Sequence, residues 1–264
     1  MELDYRVFGR SGGRCDLVLL HGLFGSSANW QSIARRFEGE RRVIVPDLRN
    51  HGRSPHSDTM DYPAMAADVR GLLGEVGASC PYVVGHSMGG KVAMRLALEQ
   101  PEAVAGLMVV DIAPVAYPNR FGGILRAMAD LPLEQVGRRS DADARLAEAV
   151  PSAPVRAYLL QNLDRDAERR WYWRLNVEAL GARIDDIMGF PEPPAGARYE
   201  GPARFVYGGD SDYLQPEHAG LIRRWFPNAT STGIPNAGHW VYADRPSAFA
   251  GVLRNFLSSG GLGA

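Results

Sequence analysis

Lysine is almost missing from this chain of 264 residues: of its 29 Lys and Arg residues, only Lys91 is a lysine. A net charge of either sign is missing too, since 30 Asp and Glu offset those 29 cations. Arginine is favoured for phosphate and nucleic-acid recognition, but a polyanion needs positive charge gathered on one face, and the balance argues against nucleic acid as a partner. Long apolar runs are absent. Leu107-Met108-Val109-Val110 is among the longest, and it falls far short of the roughly 18–20 residues of a membrane span, so no membrane partner is expected. Met1-Glu2-Leu3-Asp4-Tyr5-Arg6 carries two acids and no apolar stretch, so no signal peptide is expected. Cysteine is scarce: Cys15 and Cys80 lack metal-ligand spacing and each adjoins an expected strand. They are expected as two buried free thiols, with no metal, in a reducing cytoplasm. Repeats and low-complexity tracts are absent. What is present, 45% apolar and 22% charged residues, fits a soluble globular chain with a sizeable core.

Short apolar runs alternate with longer helical patterns. Leu17-Val18-Leu19-Leu20, Val43-Ile44-Val45, Tyr82-Val83-Val84, Leu107 to Val110 and Phe205-Val206-Tyr207 each end at a Gly, Pro, Asp or His-Gly loop. They read as strands buried on both faces. Helical patterns lie at about 29–37, 63–76, 88–98, 216–225 and 246–257. This alternation predicts an α/β fold with a mostly parallel, doubly wound sheet, whose ligands sit at the carboxyl ends of the strands. From about Ala113 to Ala197 the rhythm breaks. No strand is expected there, and charged helical patterns at 141–150 and 165–180 predict a helical lid. The expected division is a core of residues 1–112 and 198–264 with a cap of residues 113–197. Trp171, Trp173, Phe121, Leu125 and Met128 in it are expected as pocket lining or as lid core.

Gly85-His86-Ser87-Met88-Gly89-Gly90 lies directly after a strand and before a helix. This is G-x-S-x-G in the setting of a nucleophile elbow, where a sharp turn exposes Ser87 Oγ at a helix start and small flanking residues avoid clashes. The base must come from elsewhere in the chain. His21 and His51 sit in glycine turns and suit backbone hydrogen bonding, while His56 and His218 lie in polar stretches. His239, in Ala237-Gly238-His239-Trp240, follows the last strand-like run and fits the order Ser, Asp, His. Two strand ends offer the orienting acid, Asp111 and Asp212. The early turn His21-Gly22-Leu23-Phe24-Gly25-Ser26 supplies a backbone N–H at Leu23 that, with Met88 N–H, forms an oxyanion hole. Substrate is expected against Phe24, His86 and Met88, with Trp173 from the lid.

These segments, with Asp47-Leu48-Arg49-Asn50-His51-Gly52, Asp111-Ile112-Ala113-Pro114 and the lid's Trp173-Arg174-Leu175-Asn176-Val177, resemble serine α/β-hydrolases, and in particular their YbfF-type esterase branch. The resemblance implies an eight-stranded core with a helical cap inserted after the sixth strand, no cofactor, and hydrolysis of short- to medium-chain acyl esters or thioesters. It also implies that the acid after the sixth strand is Asp111, with Ser211 joining the site from the next loop. Gly209-Asp210-Ser211-Asp212 keeps Asp212 open as an alternative acid. Ser87 excludes the epoxide hydrolases and haloalkane dehalogenases, which need an aspartate at the elbow. A perhydrolase shares the triad, and a catalytically silent ligand receptor is the rival from another class. Monomer and homodimer are both compatible with the sequence.

Overall fold

The structure, a computed structural model, describes residues 1–12 and 14–259. The strands are β1 (Tyr5–Phe8), β2 (Leu17–Leu20), β3 (Val43–Pro46), β4 (Tyr82–His86), β5 (Gly106–Val110), β6 (Leu163–Arg165), β7 (Trp171–Trp173), β8 (Ala203–Gly208) and β9 (Ala229–Ile234). The helices are α1 (Gln31–Phe37), α2 (Tyr62–Glu75), α3 (Met88–Glu99), α4 (Gly122–Ala129), α5 (Arg139–Leu146), α6 (Ala153–Leu160), α7 (Val177–Ala182), α8 (Ile184–Met188), α9 (Ala219–Trp225), α10 (Val241–Asp244) and α11 (Pro246–Ser259).

Seven strands form one sheet in the order β1-β3-β2-β4-β5-β8-β9. Only β1 runs antiparallel, at the edge against β3. The strands β2 to β5 are buried along their full length, as continuous apolar runs in a sheet covered on both faces must be. Alternation of side chains splits them between two layers. Leu17 and Leu19 join Trp30, Phe37 and Phe249 beneath α1 and α11. Val18 and Leu20 join Met65, Val69, Val92 and Leu96 of α2 and α3.

The sheet differs from the expected count of eight. The chain enters it at Tyr5, with Met1 to Asp4 outside any strand and the Met1 ammonium 2.5 Å from Asp68. The strand that carries Asp111 at its end is therefore the fifth. Between β5 and β8 lie α4 to α8, and also an antiparallel pair, β6 with β7. No strand was expected in that segment, and the helix expected over 165–180 is instead this hairpin followed by the short α7. Aromatic residues favour strands, and Arg165 stacks over Trp171 at 4.3 Å to hold the pair. The two thiols are also not buried: Cys15 is exposed and Cys80 partly so. Each lies two residues before a strand that begins the buried sheet, at the N-terminal edge where the chain emerges. No helix among the described residues is long and apolar enough to cross a membrane, and no cluster of His, Cys, Asp or Glu among them has metal-binding geometry.

Candidate active site

The cleft sits at the carboxyl ends of β2, β4, β5, β8 and β9, where the parallel sheet leaves its loops free. At the end of β4 the chain turns through Ser87, which has φ 52 and ψ −120. A positive φ on a non-glycine residue is strained and persists only where the surroundings enforce it. Here the enforcement is close packing. A Cβ on Gly85 would overlap the Gly89 carbonyl, and one on Gly89 would overlap the carbonyls of Leu20 and His21. The elbow thus sits flush against the end of β2, and Ser87 lines the cleft at the start of α3.

His239 and Asp111 meet behind it. His239 Nδ1 lies 2.8 Å from Asp111 Oδ2, and the imidazole lines the same cleft as Ser87. No hydrogen bond joins Ser87 Oγ to His239, although both line the cleft. Asp111 is fully buried and takes φ 55. Its Oδ1 accepts from Gly208 N at 3.1 Å, and Ser211 Oγ donates to Oδ2. Three donors therefore hold one carboxylate in place. Asp212 goes elsewhere: its carboxylate is 67% exposed and pairs with Arg120 at 3.2 Å. Of the two candidate acids, the structure brings only Asp111 to the histidine.

His86 has two roles that the sequence shows only in part. It lines the cleft as expected, and its Nε2 donates to the His239 carbonyl at 2.8 Å, fixing the loop that carries His239. Burial and the neighbouring His239 push its pKa well below the usual range, so it is neutral. Tyr213 stacks on His239, with ring centroids 4.0 Å apart. Tyr117 Oη ties that tyrosine down: it accepts from Ala113 N and donates to the Tyr213 carbonyl at 2.6 Å. Tyr62 and Tyr158 also line the cleft. Sequence reasoning missed all four tyrosines, because single residues in a loop, at the start of α2 and in the inserted segment carry no periodic signal.

Leu23 and Met88 both line the cleft. Met88 opens α3, where a helix leaves its first N–H groups without intrahelical acceptors. Leu23 N has no acceptor among the described residues. The turn before α1 is held by His51 Nε2 accepting from Phe24 N at 3.2 Å, and His21 Nε2 likewise accepts from Leu48 N at 2.9 Å. Burial drives the His51 pKa down to about 3, so it stays a neutral acceptor. His21 and His51 thus serve the backbone, as expected. Two pocket expectations need correction. Phe24 is buried behind the cleft, edge-on to Phe121, which takes the lining position. Trp173 lies away from the cleft, because its Nε1 donates to the Met128 carbonyl at 3.0 Å and docks it against α4. Leu125 and Met128 are buried core.

Residues 17–246 match the alpha/beta hydrolase fold family. The chain belongs to the α/β-hydrolase family. Among relatives of this α/β-hydrolase, the Mus musculus sn-1-specific diacylglycerol lipase ABHD11 is 41% identical over 98% of this chain and 86% of that protein. Esterase YbfF of Escherichia coli strain K12 is 35% identical, with 92% of each chain covered. A solved structure titled marine microorganism esterase superposes with a TM-score of 0.92 at 35% identity, covering 97% of this chain and 99% of that one.

Proposed function

We propose that this α/β-hydrolase is a carboxylic ester hydrolase that cleaves short- to medium-chain acyl esters through a covalent acyl-enzyme. Ser87 Oγ attacks the ester carbonyl while His239 Nε2 takes its proton. Asp111 holds the imidazole at Nδ1 and stabilises the imidazolium that forms. The carbonyl oxygen becomes an oxyanion between the N–H groups of Leu23 and Met88, where each such donor contributes about 10²–10³ in rate. His239 then returns the proton to the leaving alkoxide, the alcohol departs, and the same base draws a proton from water to release the acid. Residues 113–197 act as a cap that shields the cleft.

The observation that carries this reading is the buried Asp111 carboxylate 2.8 Å from His239, beside a serine on a strained elbow. The named esterase and lipase relatives support it. Fluorophosphonate labelling and p-nitrophenyl butyrate turnover test it. Wild type is expected to label at Ser87 and to turn over, and Ser87→Ala to do neither. A wild-type protein that is folded, unlabelled and inactive would instead be a silent ligand-binding member of the fold.

A further inference from the structure

The one lysine lies in the cleft. Lys91 lies one helical turn after Ser87, the residue that precedes α3, and its backbone N–H donates to the Ser87 carbonyl at 3.1 Å. Lys91 is 2% exposed, yet it lines the same cleft as Ser87. Its Nζ donates to the carbonyls of Met188 at 2.9 Å and Gly189 at 2.6 Å, and stands 4.9 Å from the Tyr117 ring. An ammonium has three N–H donors, and the third has no hydrogen-bond acceptor among the described residues. No carboxylate faces it from α2, α3, α8 or the loop that carries Tyr117. The ionisable groups beside it are the phenols of Tyr62 and Tyr117, both pushed to higher pKa by burial and therefore neutral. Burial alone draws the lysine down from 10.5 to about 7.

A cation buried without an anion is costly. Tying down two lid carbonyls does not explain it, because neutral donors would serve. Every other cation in the chain is an arginine, so a lysine at this position departs from the chain's own usage. Resting on the esterase reading above, we propose that Lys91 is a specificity-determining residue: the cleft takes acyl groups that end in a carboxylate, which completes the third N–H of Lys91 while Ser87 holds the carbonyl carbon. One helix turn between the two residues, both of which line the cleft, suits a dicarboxylic half ester of about four to six carbons. Because the acyl group stays bonded to Ser87, the ion pair persists through both half-reactions.

The test compares phenyl half esters of glutarate with phenyl valerate, after subtracting spontaneous hydrolysis. Wild type is expected to favour the half ester by about tenfold or more in kcat/KM. Lys91→Met is expected to lose that preference and Lys91→Arg to retain part of it. Free glutarate is expected to inhibit valerate turnover by wild type competitively, and more weakly above about pH 8; this measurement needs no variant to fold. Turnover of valerate with no preference for the half ester and no glutarate inhibition overturns the proposal and leaves the esterase reading standing. Turnover of neither ester removes the esterase reading instead. A preference for valerate esters of carboxyphenols, with none for the half ester, places the anion on the leaving-group side and also overturns the proposal.

Discussion

At the residue scale, burial separates the two acids that spacing leaves equal. Asp111 and Asp212 each lie in the loop after a strand, but Asp111 is enclosed among three donors and Asp212 lies in solvent beside Arg120. Asp111→Asn is expected to lower kcat by about 10³–10⁴, as the loss of the orienting carboxylate does in serine triads. Asp212→Asn is expected to leave kcat/KM within a few-fold, since exposed ion pairs contribute little. Steady-state kinetics on folded variants checks both, and equal losses would contradict the assignment. Lys91 gives a second prediction. Its ammonium titrates near 7 in the fold but near 10.4 in an unfolded chain. Between those values the unfolded state binds more protons, so stability rises with pH across the window. Urea unfolding at about pH 7 and about pH 9.5 is expected to show wild type gaining stability relative to Lys91→Met. Ser87 and His239 were legible because the elbow glycines and the chain order are local signals. The Ser211 contact came from resemblance alone, and the cleft tyrosines were not legible at all. Which side chains meet across α2, the Tyr117 loop and α6 depends on packing that no short window of sequence encodes.

At the element scale, the parallel strands announce themselves because a sheet covered on both faces must be apolar throughout. The β6–β7 hairpin does not. Its strands are three residues long, and Trp171-Tyr172-Trp173 lies between arginine-rich stretches that imitate a helical face. Residues 153–160 escaped for a related reason, since proline opens that helix and blurs its start. The elbow itself is an element under compression. Gly89→Ala forces a methyl group against the backbone of β2, an overpacking that costs about 1–3 kcal/mol. At roughly 2–4 °C per kcal/mol for a chain of this size, the Tm is expected to fall by several degrees. The same displacement moves Met88 N–H, so kcat is expected to fall more than KM rises. Thermal melts with steady-state kinetics read both, and an unchanged Tm would mean the elbow relaxes freely.

At the scale of the whole molecule, a few hydrogen bonds join the inserted segment to the loops and to α2 around the sheet. Asn162 Nδ2 donates to the Phe24 carbonyl at 2.8 Å, and Asn176 N donates to the Asn50 carbonyl at 3.0 Å. Tyr62 Oη reaches the Ile187 carbonyl at 2.5 Å. Asn162→Ala leaves the Phe24 carbonyl without that donor in a buried setting, at about 1–3 kcal/mol. It is expected to lower the Tm by a few degrees and to slow turnover through the adjoining Leu23 amide. An unchanged kcat would show that the turn holds itself. The sequence shows the broken rhythm of this segment but not its points of attachment, because each pairs residues more than a hundred positions apart. The sheet topology carries a further consequence. The segment departs after Val110 and the chain returns through Ala203, and β5 and β8 are hydrogen-bonded neighbours with Leu107 opposite Ala203. Its two ends are thus held about one strand spacing apart by the sheet itself. Closing a longer loop there costs only about 0.6 kcal/mol per doubling of its length. A lineage can therefore exchange, lengthen or shorten the segment between β5 and β8 without disturbing the sheet that carries the site.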